Sequence, residues 1–330
     1  MKKLINKPET VLDEMLSGLV KAYPNKLKRV ADSDVIARKT KKEKGKVGII
    51  SGGGSGHEPA HAGFVGYGML DCAVCGEVFT SPTPDQVYKA IVEADAGAGV
   101  FMVVKNYSGD VMNFEMAKDM ADAENIKVDY VVVNDDVAVE DSTYTTGRRG
   151  IAGTIYFHKV LGAMAEQNKS IEEMKKMSEY LLKNIRSMGM AIKPCTIPAV
   201  GKENFTLAED EMEIGIGIHG EPGIRKETIK SANDIAKELL DKILSELDNS
   251  GEFALMVNGM GATPQMELLL INNYVNDYLS QKNIRIYRTY LGNYMTSLDM
   301  AGFSLSLFRL NDECKKYLDY KADTAQIKEF

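Results

Sequence analysis

The chain has 330 residues, 44% of them hydrophobic and 26% charged, an ordinary globular composition long enough for two domains. Its net charge is -7, and its one basic run (Lys39, Lys41, Lys42, Lys44 and Lys46) lies in a loop-like stretch, which argues against direct binding of nucleic acid. No apolar run approaches the ~20 residues that span a bilayer, and Met1 to Glu9 lacks the apolar segment of a secretion signal, so no membrane association and a cytoplasmic location are expected.

The first element is a helix after Pro8, where Val11, Leu12, Met15, Leu16 and Leu19 recur at helical spacing. Val47 to Ser51 reads as a buried strand that ends in a glycine loop. Val100 to Val104 and Tyr130 to Val133 are continuous apolar strands, as in a sheet covered on both faces. Helical patterns run from Pro84 to Ala94, Met112 to Glu124, Gly150 to Gln167 and Ser170 to Ser187. This alternation predicts an α/β fold with largely parallel pairing. Composition shifts to glycine, proline and short apolar steps near Gly189 to Gly201. We therefore expect two α/β domains, each a mostly parallel or mixed sheet flanked by helices. The first, 1–190, carries the glycine-rich loop with His57 and Asp110; the second, 191–330, carries His219. In the second, a helix is predicted around Ala232 to Leu247 and a strand at Phe253 to Val257. A helix capped by Thr263 with Pro264 at its first position follows, then strands at Arg285 to Leu291 and Phe303 to Leu310.

Two of the four histidines sit in near-twin settings. One is Gly52-Gly53-Gly54-Ser55-Gly56-His57-Glu58-Pro59; the other is Gly215-Ile216-Gly217-Ile218-His219-Gly220-Glu221-Pro222. In each, glycines clear space for backbone or ligand, and Glu-Pro reads as the start of a turn or helix. A neutral imidazole in such a clearing is a nucleophile or a proton carrier. If Glu211 to His219 is one strand, Met212, Ile214, Ile216 and Ile218 form its buried back and His219 stands on a bare front. The alternative is that the glycines serve close packing and His219 bonds a backbone carbonyl. His61 and His158 read as structural.

Other motifs are weaker. Gly215-x-Gly217-x-x-Gly220 matches the dinucleotide fingerprint, but its glycines lie within the alternating strand and Pro222-Gly223 interrupts the exit. No phosphate-cradling G-x-x-x-x-G-K-[ST] occurs. Cys72-Ala73-Val74-Cys75 lacks a second ligand pair for zinc, and four cysteines imply no disulfide framework. Lys105-Asn106-Tyr107-Ser108-Gly109-Asp110 follows a buried strand, where open α/β sheets place ligands. Asp110 is either a general base or a helix cap, and Lys105 either binds a substrate oxygen or forms an ion pair. Asp135, Asp136 and Asp141 are unevenly spaced for a metal and suit turns and caps. Thr145-Thr146-Gly147-Arg148-Arg149-Gly150 is either a phosphate loop or a loop held by arginine ion pairs.

Ser51 to Pro59, Glu77-Val78-Phe79-Thr80-Ser81-Pro82-Thr83-Pro84-Asp85, Lys105 to Asp110, Asn134-Asp135-Asp136-Val137-Ala138-Val139, Gly147 to Gly150, the His219 segment and Thr296-Ser297-Leu298-Asp299-Met300 together resemble the substrate-binding subunits of dihydroxyacetone kinases. The likeness runs nearly end to end. It implies a homodimeric two-domain subunit in which His219 adds to the ketone as a hemiaminal. Asp110 and His57 would serve as base and acid, and Gly54 and Lys105 would hold substrate oxygens. It also implies that this chain holds no cofactor or metal of its own. Nucleotide (ADP or ATP) and magnesium would sit on a separate kinase subunit. A dihydroxyacetone-sensing transcriptional co-activator is the alternative within the same resemblance.

Overall fold

The computed structural model describes residues 2–140 and 147–330. Helix α1 (Val11–Ala22) leads into strands β1 (Leu27–Arg29), β2 (Val35–Arg38), β3 (Gly48–Ser55), β4 (Gly66–Tyr67) and β5 (Cys72–Val78). Helix α2 (Pro84–Ala94), strand β6 (Val100–Lys105), helix α3 (Ser108–Ala123) and strand β7 (Val128–Val133) follow. Six of these strands form one sheet in the order β1-β2-β5-β3-β6-β7. β5, β3, β6 and β7 are mutually parallel, so their carboxyl ends share one edge. The glycine run expected as a loop continues β3 instead. A Cβ on Gly52 would lie 2.5 Å from the Val74 oxygen, and one on Gly54 would lie 2.6 Å from the Thr80 nitrogen. The glycines let neighbouring backbone close in while the strand continues.

Helices α4 (Thr154–Glu166) and α5 (Ile171–Asn184) lead to β8 (Ile185–Lys193). Short strands β9 (Thr196–Ile197), β10 (Lys202–Glu203), β11 (Glu211–Ile214) and β12 (Arg225–Thr228) precede α6 (Ala232–Leu244), β13 (Glu252–Gly259), α7 (Gln265–Gln281), β14 (Arg285–Gly292), β15 (Ala301–Leu310) and α8 (Asp312–Leu318). The second sheet runs β12-β11-β8-β15-β13-β14, with only β13 and β14 parallel. The helix expected to reach Ser187 stops at Asn184, because Ile185 to Lys193 pairs along β15. Tertiary pairing here overrides a helical pattern. A division after residue 190 would cut β8, which is central to the second sheet. Thr263 does not cap α7: its hydroxyl exchanges hydrogen bonds with the backbone of Gly302, and Pro264 takes the cap position.

Every residue of α4 is buried. A helix buried all round belongs between two packed layers, and α4 lies between the sheets. One core cluster joins Ile49, Phe101 and Val133 of the first sheet to Phe157 and Leu161 of α4 and to Met256 and Phe308 of the second. α2 and α3 cover the far face of the first sheet, and α6 and α7 that of the second. Both sheets are thus clad on two faces, which is why β6 and β15 are buried along nearly their whole length. Within β15, Ser304 and Ser306 are buried and satisfied by Asn258 and Ser187. No helix among the described residues is long and apolar enough to cross a membrane.

Candidate active site

Beyond Ile214 the chain does not stay straight. Gly215 takes φ +79° and Gly220 φ +83°, the left-handed region that glycine reaches without steric cost. The expected alternating strand is therefore broken. Met212 and Ile214 pack under α6, Ile216 joins a small cluster with Cys195 and Met260, and Ile218 enters the central core. All four are buried, but on different faces of a turning segment. The turn brings His219 against the carboxyl edge of the first sheet. Arg149 straps it there: its guanidinium is fully buried, pairs with Asp136 Oδ2 at 2.7 Å, and donates to the carbonyl of Gly215 at 2.6 Å.

His57 and His219 meet across 162 positions of sequence, with their Nε2 atoms 3.1 Å apart. His57 Nδ1 donates to the carbonyl of Thr296 at 2.8 Å, and His219 Nδ1 donates to Glu221 Oε1 at 2.8 Å. A carbonyl and a carboxylate only accept, so both rings carry their first proton on Nδ1. A hydrogen bond between the two Nε2 atoms then needs one further proton, shared by the pair. Phe79 and Tyr107 stand edge-on to His219, with centroids 5.1 and 4.7 Å away. Phe79 also stacks on His57 at 5.2 Å. Burial, then the neighbouring His219 and Lys105, lowers the proton affinity of His57 well below the usual imidazole range. Such a ring gives up a proton readily.

Asp110 lies in the first turn of α3. Its Oδ1 accepts from the Ser81 hydroxyl at 2.5 Å, and its Oδ2 pairs with Lys105 Nζ at 3.1 Å. Both charged groups are buried. Lys105 therefore forms an ion pair, and a side chain on Gly53 would collide with its ammonium. Gly54, Phe79, Ser81, Tyr107, Asp110 and His219 line one open cavity of about 800 Å3, closed on one side by Ile197 and Val200 of the β9–β10 hairpin. The structure thus brings Gly54, Asp110 and His219 to one cavity. His57 lies behind His219 and Lys105 behind Asp110.

The remaining candidates fall elsewhere. Asp135 accepts from the amides of Ile151 and Gly153, and Asp136 from that of Ala138. Arg148 pairs with Glu246 at 2.6 Å, so the arginine loop is held by ion pairs. Asp141, Thr145 and Thr146 lie outside the described residues. His61 and His158 bond each other at 2.9 Å inside the protein. Cys72 and Cys75 point to opposite faces of β5, into different clusters. No helix follows Gly220 directly, so the dinucleotide fingerprint lacks its helix. Glu221 escaped the sequence reading, which took Glu-Pro for the start of a turn or helix. So did Thr296, whose carbonyl acts rather than its side chain.

A mixed α/β chain with a paired imidazole and a buried lysine–aspartate couple at the meeting edge of two sheets has the layout of an enzyme that handles small polar substrates. Residues 17–326 match the Dak1 domain, and the chain belongs to that family. It is 53% identical to the PTS-dependent dihydroxyacetone kinase 1, dihydroxyacetone-binding subunit DhaK, of Listeria innocua, over 97% of each chain. It is 40% identical to the DhaKLM operon coactivator DhaQ of Lactococcus lactis, over 96% of this chain and 97% of that one. The dihydroxyacetone kinase of C. freundii superposes with a TM-score of 0.91 at 33% identity, covering 99% of this chain and 60% of that one.

Proposed function

We propose that the chain is the dihydroxyacetone-binding subunit of a dihydroxyacetone kinase, a cytoplasmic phosphotransferase that acts together with a nucleotide-bearing subunit. The observation that carries this reading is the His57–His219 pair, locked at both Nδ1 atoms and opening on a cavity shared with Asp110. His219 Nε2 adds to the ketone carbon and His57 delivers the shared proton to the ketone oxygen. Asp110 then takes the proton of the terminal hydroxyl as it attacks phosphorus. Lys105 pairs with Asp110 and holds its carboxylate in place, and Gly54 leaves room for the substrate oxygens. A nucleotide with magnesium, held on the partner subunit, would supply the phosphoryl group and neutralise its charge.

Covalent capture suits so small a ligand. Dihydroxyacetone has about six heavy atoms, so even the best ligand efficiency allows only about 9 kcal/mol of binding. A bond to the carbonyl carbon adds orientation without contact area and rejects glycerol, which lacks a carbonyl. The 40% identity to an operon co-activator supports one competing reading, a sensor that binds the ketone without turning it over. Purified chain, dihydroxyacetone, magnesium and a nucleotide-loaded partner subunit decide between the two. Dihydroxyacetone phosphate that requires both proteins supports the kinase. Saturable ketone binding without product, beside a partner proven active on another kinase subunit, supports the sensor.

A further inference from the structure

Glu221 is buried directly behind His219. Its Oε2 accepts the His219 backbone N–H at 2.9 Å while Oε1 accepts Nδ1–H at 2.8 Å, so one carboxylate fixes both the backbone and the ring. The chain is shaped around it. Gly220, in the left-handed region, folds Glu221 back two residues, and a Cβ on Gly217 would overlap Oε2. Asn204 Nδ2 holds the His219 carbonyl at 2.8 Å from the other side. Although burial opposes ionisation, His219 and then Arg149 hold Glu221 down to about 2, so it is an anion at every physiological pH.

We propose that Glu221 is a positioning residue: it imposes the Nδ1–H tautomer that leaves His219 Nε2 without a proton of its own for addition, and it balances the charge of the resulting adduct. The second half rests on the reading that His219 adds to the ketone. In that step the Nε2 lone pair forms the N–C bond, and the π pair of C=O moves to oxygen. Oxygen takes the proton shared by the two Nε2 atoms. His57 ends neutral. His219, bonded at Nε2 and still protonated at Nδ1, becomes an imidazolium. The single positive charge is conserved and ends on the ring 2.8 Å from Glu221. Without an anion there, a cation largely shielded from water would be left unpaired.

The test uses the whole chain with labelled histidine. 15N NMR of the free protein reads the tautomer without any ketone, and 13C-carbonyl dihydroxyacetone reads capture as conversion of a ketone carbon to a tetrahedral one. In wild type, His219 should show a protonated Nδ1. Glu221→Gln should mix the tautomers and weaken capture roughly 10- to 100-fold, the gap between a charge-assisted and a neutral hydrogen bond. KM should rise while kcat at saturating ketone changes little. A merely structural loss would weaken capture without moving the tautomer. Glu221→Asp, which keeps the charge, should restore the tautomer and part of the affinity, and it is the deciding variant if Glu221→Gln fails to fold. A wild-type tautomer protonated at Nε2, or a tautomer unmoved in Glu221→Gln, overturns the proposal. A wild type with the expected tautomer but no tetrahedral carbon overturns covalent capture and the charge-balancing half alone.

Discussion

Asp110→Asn separates catalysis from stability in one side chain. The amide keeps the shape but cannot take a proton from a hydroxyl and cannot pair with Lys105. At 3.1 Å and an effective dielectric of about 20, the Lys105–Asp110 attraction is worth about 5 kcal/mol before the cost of desolvating both groups. Among the described residues, Lys105 otherwise has a long 3.5 Å bond to the carbonyl of Gly52 and the ring of Tyr107, its centroid 5.6 Å away. Removing its counter-charge should therefore cost about 3–5 kcal/mol of stability, as for other broken buried pairs. Losing the base should lower turnover about 10²–10⁴-fold. His219 and His57 do not depend on Asp110 for their hydrogen bonds, so ketone capture should persist. Three readouts suffice: urea denaturation, the 13C carbonyl signal, and product formation with the partner subunit at equal folded fraction. Lys105→Met/Asp110→Asn should recover much of the stability and none of the turnover. Turnover of Asp110→Asn within about threefold of wild type would refute the base assignment, and an unchanged urea midpoint would refute the energetic account of the pair.

Other substitutions probe the rest of the site. His219→Ala should abolish the tetrahedral 13C signal yet leave some turnover, since positioning by Asp110 and the cavity remains; an unaltered signal would place the adduct elsewhere. Gly54→Ala puts a methyl group 2.6 Å from the Thr80 nitrogen and 2.9 Å from Phe79 backbone, so it should cost about 1–3 kcal/mol by urea denaturation and displace Phe79 from His219. Stability should also fall as pH drops from 6.5 toward 5. Burial lowers the proton affinities of His61 and His158 (the latter to about 3), so the unfolded chain binds their protons first and stability is fully present only above the unfolded value near 6.5. Two such groups set an upper slope of about 3 kcal/mol per pH unit, from which the carboxyls of Asp135 and Asp136, raised by burial, subtract a part. A urea midpoint that stays level between pH 7 and 5 would contradict this.

The parts of the molecule that local rules govern were legible in the sequence. The apolar runs of β6 and β7 announced a covered sheet, and the groups after β3 and β6 sit where parallel sheets expose their carboxyl ends. What was illegible depends on residues far apart in the chain. The alternation of Glu211 to Ile218 assumed a straight strand, because nothing local says which glycine will turn left-handed; Gly215 does so beside Ala138 and Ile224. The boundary between α5 and β8 is set by pairing with β15, over a hundred residues on.

The twin histidine settings show where that limit falls. In both, the glutamate folds back to accept an amide two residues earlier: Glu58 from Gly56, Glu221 from His219. The echo was visible, and locally the two turns do the same thing. They differ in which residue precedes the glutamate by two. Glycine stands there in the first turn, so Glu58 meets no ring, and His57 Nδ1 finds the carbonyl of Thr296 from a distant loop. Histidine stands there in the second, so Glu221 meets the ring itself. One imidazole thus faces a neutral dipole and loses proton affinity on burial, while the other faces an anion that can balance a positive charge. Two similar glycine–histidine turns thus give their imidazoles different partners, because one partner is long-range and the other is local.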